Sequence, residues 1–169
     1  MTIITQPLRD EHQELLPNIE KLRQVADAVG NVTVEVLQQG VDEVIEFLTH
    51  HLIPHAQAED RALYPVVAEL MGALQATRTM SRDHVEVDRL TTELVNLRAN
   101  LSDTTYDQMQ ATALRRVLYG LYALVKVHFA KEEEIYLPLL DARLSAKEAQ
   151  KMFKTMEAAA HEAKAHAAY

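Results

Sequence analysis

The sequence predicts an all-α protein, an antiparallel up-down four-helix bundle with an additional C-terminal helix. Three observations lead there. Apolar residues recur at steps of three and four in four successive blocks, the period of helices with one buried face. The links between blocks, at 30–32, around Gly72 and at 101–103, are short, and short links force neighbouring helices antiparallel. Alternating apolar and polar runs, which would mark half-buried strands, are absent.

The first block carries Leu8, His12, Leu15, Ile19, Leu22, Ala26 and Val29 on one stripe. Pro7 suits an early helical position, and Gly30-Asn31 stops the run. The second starts near Thr33 and reads Val41, Val44, Leu48, His51, His55, Ala58 or Glu59, and Ala62, interrupted by Pro54 and Pro65. Pro54 removes a backbone donor and is expected to bend the helix just before His55. The third carries Met80, His84, Val87, Thr91 and Leu94, ending near Asn100. The fourth is expected to begin after Ser102-Asp103-Thr104, read as N-cap residues. It runs through Leu114, Leu118, Leu121, Val125, His128, Glu132, Ile135 and Leu139, with Pro138 near its end. Ser145-x-x-Glu148 has the form of a capping box and opens a fifth helix over 146–167, whose Met152, Phe153 and Met156 are apolar enough to cover the bundle or a partner chain. The expected division is a bundle over 1–144 and a helical extension over 145–169, packed on or beside it.

Composition narrows the function. The 169 residues are 48% hydrophobic and 25% charged, an ordinary globular balance, and one domain of that length buries a sizeable core. A formal charge of −8 argues against nucleic acid or an anionic membrane surface as partner. No apolar run is long enough for a membrane span, and Met1-Thr2-Ile3-Ile4 leads directly into polar residues, so no signal peptide is expected. Zero Cys excludes disulfides, thiolate zinc sites and iron–sulfur clusters, and the expected compartment is the cytoplasm.

One pattern occurs twice. Asp10-Glu11-His12 is followed by His55-x-x-x-Glu59 and Tyr64-Pro65; Arg82-Asp83-His84 is followed by His128-x-x-x-Glu132 and Leu137-Pro138. The four histidines occupy stripe positions where the periodicity calls for Leu or Val. Each Glu falls one turn beyond its His on the same helix face. An ionised carboxylate inside a bundle costs several kcal/mol unless it is paired or bound to metal. Imidazole and carboxylate without thiolate suit iron, manganese or zinc. Six ligands exceed one tetrahedral zinc, offer too few oxygens for calcium, and suit two adjacent ions bridged by Glu59 and Glu132. The Glu-x-x-His pair of ferritin-type di-iron bundles does not occur.

On Asp10-Glu11-His12, the stretch from His55 to Pro65, Arg82-Asp83-His84 and the stretch from His128 to Pro138, the chain resembles the hemerythrin-like, or HHE cation-binding, family. The resemblance spans about 8 to 140. It implies a four-helix bundle holding two iron ions with a bridging oxo or hydroxo group, and chemistry with dioxygen, peroxide or nitric oxide, or iron sensing. The ligands it implies are His12, His55, Glu59, His84, His128 and Glu132. Oxygen-carrying members use a fifth His, four residues after the one on the third helix; here that position is Asp88. Their last carboxylate stands five residues after its His, which here is Glu133, but the symmetry of the two halves favours Glu132.

Two six-coordinate ions offer about twelve positions. Four His, two bridging Glu and a bridging oxygen leave about two open, where a fifth His would leave one. Two open positions suit peroxide chemistry better than reversible oxygen carriage, unless another side chain fills one. His51 and Asp88 are the candidates for a further ligand, and Tyr64, Tyr119, Tyr122 and Tyr136 are candidate phenols near the site. His50 is expected to point outward, Glu133 and Glu134 to be solvated, and Glu157-x-x-x-His161 and Glu162-x-x-x-His166 to be exposed helix-stabilising pairs. The expected function is therefore catalase-like decomposition of hydrogen peroxide. The alternative is a module that binds, stores or senses oxygen, nitric oxide or iron; no attached output domain is visible to favour a sensor.

Overall fold

The computed structural model describes residues 3–102 and 104–167; Asp103, a candidate N-cap in the sequence, lies outside them. Five helices follow one another and no strand occurs among the described residues. We label them α1 (Gln6–Ala28), α2 (34–71), α3 (Arg78–Ala99), α4 (108–143) and α5 (Ala146–Ala167). Helices α1 to α4 form a closed ring, because α4 packs on α1 as well as on α3. Arg9 near the start of α1 meets Asp141 near the end of α4, while Val29 accepts a hydrogen bond from Arg115 near the start of α4, so the two run antiparallel. The described residues fold as an all-α helical bundle.

Local chemistry sets the ends. Thr33 caps α2 through its side chain, and the αL turn at Gly72 (φ 66°) closes it, a conformation glycine adopts without a Cβ penalty. Helix α4 begins later than the sequence suggests. Asp107 and Gln110 form a reciprocal capping box, and Ser102 instead accepts from Thr104 and Thr105 in the preceding turn. Ser145 and Glu148 bond reciprocally at the start of α5, as the motif predicts.

Neither α2 nor α4 is uniform. Each widens into π turns, at Leu48–Leu52 and Glu59–Leu63 in α2 and at Glu132–Tyr136 in α4. Ile53 N–H donates to Leu48 O, Tyr64 to Glu59 and Leu137 to Glu132, each spanning five residues. A proline follows directly every time: Pro54, Pro65 and Pro138. An α-helical register would press each ring against the carbonyl four residues back, and the wider turn relieves that clash. The bend expected at Pro54 is thus one of three local widenings. Proline alone does not enforce one, because α1 runs on through Pro17 as an α-helix.

The apolar core lies in two clusters. One packs Ile19, Leu22, Val41, Val44, Leu94, Leu114 and Leu118 between the four helices. The other joins Leu8, Leu63, Tyr64, Met80, Leu137 and Leu140 to Met152 and Met156 of α5. Helix α5 lies along α2, where the small side chains of Ala58 and Ala62 leave room for it, and Arg61 pairs with Glu162 across the junction. No helix among the described residues is long and apolar enough to cross a membrane.

Candidate metal centre

Each of the four bundle helices brings a histidine to one place in the core. His12 comes from α1, His55 with Glu59 from α2, His84 from α3 and His128 with Glu132 from α4. Glu59 and Glu132 have no exposed surface, and the His12 side chain keeps only 1%. The His–Glu pairs retain α-helical spacing, since the π turns begin at the glutamates themselves.

The two carboxylates divide the histidines into two pairs. Glu59 Oε1 lies 3.0 Å from His55 Nε2 and 3.7 Å from His12 Nε2. Its other oxygen lies 3.3 Å from His84 Nε2 and 3.9 Å from His128 Nε2. Glu132 repeats this, with Oε2 3.4 Å from His12 Nε2 and Oε1 3.4 Å from His128 Nε2. His12, His55 and Glu59 therefore converge at one point, and Glu59, His84 and His128 at a second, as ligand sets that could each hold an ion.

Unsatisfied atoms test whether the cluster fits a metal. Among the described residues, the buried side-chain atoms without a hydrogen-bond partner are all here: His12 Nε2, His55 Nδ1 and Nε2, both oxygens of Glu59, and Glu132 Oε2. Leaving such atoms buried and unpaired costs several kcal/mol, and nitrogen and oxygen donors facing a common centre suit divalent or trivalent iron. The residues fit a pair of ions.

Without metal, protons take up part of the charge. Burial opposes an imidazolium at His128, but hydrogen bonds and charge from Glu132 and Glu59 outweigh it and push the pKa up to about 10. Burial likewise works against His55, yet Glu59 and Glu11 carry it well above the ordinary range. His84 is raised against its own burial by Asp60 and Glu59. Glu59 is held well below the usual carboxylate range despite burial, because three histidines surround it.

A layer of carboxylates behind the imidazoles was not anticipated from the sequence. Glu133 accepts from His12 Nδ1 at 2.8 Å, Asp60 from His84 Nδ1 at 2.8 Å and Asp83 from His128 Nδ1 at 3.1 Å. Glu11 Oε1 lies 3.0 Å from His55 Nδ1, a close contact short of a well-aligned hydrogen bond. Arg9 pairs with Glu133, and Lys131 with Asp83. The expectation that Glu133 is simply solvated is thus corrected: it is half-buried and holds His12. The signal lay beside the cluster residues, since an acidic residue precedes each lone His (Glu11, Asp83) and follows each buried Glu of the cluster (Asp60, Glu133).

The remaining candidates separate. His51 is exposed and stacks on Phe47, and Asp88 is exposed on α3, so neither joins the cluster. Tyr119 bonds Asp27, Tyr122 bonds Glu20, and Tyr136 reaches Ala76 O. Tyr64 does reach the site. Its hydroxyl donates to Glu132 Oε1 at 2.6 Å, and burial with the nearby carboxylates holds the phenol protonated in the metal-free protein. His161 and His166 are exposed, and the partner of Glu162 is Arg61 rather than a neighbour on its own helix.

A helical bundle with this donor set defines a class of metal-binding protein, and the family comparison agrees. The model of the hemerythrin HHE cation binding domain matches residues 4–140. The chain belongs to that family. Comparisons with curated proteins and with solved structures give no match.

Proposed function

We propose that the chain is a non-haem di-iron protein that decomposes hydrogen peroxide in a catalase-like reaction. His12 and His55 would hold one ion and His84 and His128 the other, with an oxygen of Glu59 and of Glu132 on each. The observation that carries the reading is the carboxylate behind every imidazole. A carboxylate at Nδ1 makes the ring a stronger donor and adds negative charge, which favours the ferric state. A reversible oxygen carrier has to keep its metal ferrous, and these surroundings work against that.

Bound iron would supply the redox step, storing the electrons exchanged as one peroxide is oxidised to dioxygen and another reduced to water. The chain's own residues set the conditions. Leu52, Ala56, Val87, Val125 and Phe129 line a cavity of about 10 Å³ against His55, Glu59, His84 and His128. It has room for about one water-sized molecule, so larger substrates are excluded unless its walls move. Glu11, 3.0 Å from His55 Nδ1 and 47% exposed, connects the cluster to solvent and can pass protons.

One observation favours the alternative. Tyr64 stands beside one ion's ligands, and a side chain filling one open position leaves the single site that an oxygen- or nitric oxide-binding module needs, although an anionic phenol there would also favour the ferric state on which the peroxide reading rests. The deciding experiment adds peroxide to the iron-loaded protein and follows evolved oxygen against a metal-free control. Oxygen above the control is expected. No evolution, together with a ferrous protein whose oxygenated spectrum reverses under vacuum, replaces the peroxide reading with the carrier one.

A further inference from the structure

We infer that Tyr64 is a fifth protein ligand to the ion held by His84 and His128, and that it makes the two ions chemically unequal. The inference rests on reading the cluster as a di-iron centre. It starts from which side of the imidazoles the phenol occupies. Each carboxylate of the outer layer addresses Nδ1, the nitrogen turned away from the centre. Tyr64 Oη instead faces the inward nitrogens, 3.3 Å from His84 Nε2 and 3.1 Å from His128 Nε2. Those two nitrogens are themselves 3.0 Å apart. Neighbouring donors around one six-coordinate ion with bonds of about 2.1 Å stand about 3 Å from one another. The phenol is spaced from both rings as a fellow ligand is, not as a group one layer behind.

The π turn explains why Tyr64 points inward. Glu59 opens that turn, and Tyr64 N–H closes it onto Glu59 O five residues back. In a regular α-helix the fifth residue along swings well off the face of the first, whereas a π turn brings the two nearly into line. The second half builds the same turn from Glu132 to Leu137, which is apolar and fully buried. The ion at His12 and His55 receives no such side chain and keeps an open position. An anionic oxygen donor on one ion only suits a ferric ion there and directs small molecules to the other. Ligation breaks the phenol O–H bond, releases the proton to water and forms the oxygen–metal bond from the freed electron pair. No oxidation state changes.

The test is resonance Raman and visible absorption of the ferric, iron-loaded protein. Expected are a phenolate-to-iron charge-transfer band and enhanced tyrosine ring modes that shift when the protein carries ring-deuterated tyrosine. Tyr64→Phe should lose both while retaining its iron, and Tyr136→Phe, which alters the neighbouring buried phenol, should keep both. A wild-type protein with two irons and no phenolate modes, or modes that survive Tyr64→Phe, overturns the ligand assignment and leaves the di-iron reading intact. Wild-type protein that takes up no iron overturns both. Should Tyr64→Phe fail to fold, labelled wild type beside Tyr136→Phe still decides. Modes present in both assign the ligand to Tyr64, and modes absent from wild type or lost with Tyr136 reject it.

Discussion

The α1–α2 half and the α3–α4 half of the bundle carry the same ligand chemistry in unequal surroundings. Each contributes a lone His, a His–Glu pair and two acidic neighbours of the ligands. The carboxylate contacts are exchanged around the ring: Glu11 of α1 serves His55 of α2, Asp60 of α2 serves His84 of α3, Asp83 of α3 serves His128 of α4, and Glu133 of α4 serves His12. What breaks the symmetry is the residue closing the π turn, Tyr64 in one half and Leu137 in the other. The repeated scaffold thus brings together two like groups of buried His and Glu, and the non-repeated Tyr64 makes their surroundings unequal.

The largest effect should come from removing what the halves share. Glu59→Ala and Glu132→Ala should each release both ions, because each carboxylate faces both histidine pairs. His84→Leu should abolish iron binding and peroxide activity together, whereas His51→Ala and His161→Ala, both at exposed positions, should leave the iron content unchanged. Metal analysis of the purified variants checks this. One ion retained in Glu59→Ala would show that the halves bind independently.

A smaller effect separates the halves. Glu11→Gln and Asp83→Asn each weaken one imidazole and should lower iron affinity or activity by about 10–100-fold. The loss at Asp83→Asn should be the larger, because it also leaves Lys131 beside His128 without its carboxylate. Competitive iron chelation measures the difference, and equal losses would remove Lys131 from the account.

The bundle and the buried His and Glu cluster were legible because both rest on period: His or Glu where Leu belongs stands out at any stripe position. The outer carboxylates were less so. Glu133 and Asp60 neighbour Glu132 and Glu59, and a straight helix turns adjacent residues about 100° apart, which reads as solvent-facing. The contacts run to a different helix, a tertiary fact that one helix's periodicity does not carry. The start of α4 was misplaced for a related reason, since Ser102 and Thr104 are acceptable caps locally and only the Asp107–Gln110 pair closes the box.

Protons offer a third measurement. His55, His84 and His128 have raised pKa values in the metal-free protein, so protons compete with iron for these imidazoles, and at His128, raised to about 10, iron has to displace a proton at neutral pH. A raised pKa stabilises the metal-free fold fully below the unfolded value of about 6.5, and that contribution fades as pH rises through the folded one. Iron affinity should therefore increase with pH from neutrality toward 10, by about tenfold per unit for each proton displaced. Titration in weak buffer should show proton release on loading. An affinity independent of pH would mean that the imidazoles are already neutral.

The smallest effect tests the origin of the asymmetry. Pro65 and Pro138 stand in corresponding places, each immediately after a π turn. Replacing either with Ala restores a backbone donor and removes the ring clash that favours the wider turn. If the turn relaxes toward an α-helix, residue 64 rotates off the inward face in Pro65→Ala and residue 137 does so in Pro138→Ala. The first should weaken the phenolate signature, and the second should leave it unchanged because Leu137 offers no donor. Stability should change by only about 1 kcal/mol in either, since a gained hydrogen bond offsets lost packing. Pro17→Ala provides the control: α1 is already α-helical there, so that variant should gain stability without altering the spectrum. A phenolate band undiminished in Pro65→Ala would mean that Glu132 and the two imidazoles hold Tyr64 in place, and that the π turn follows from ligation rather than from proline.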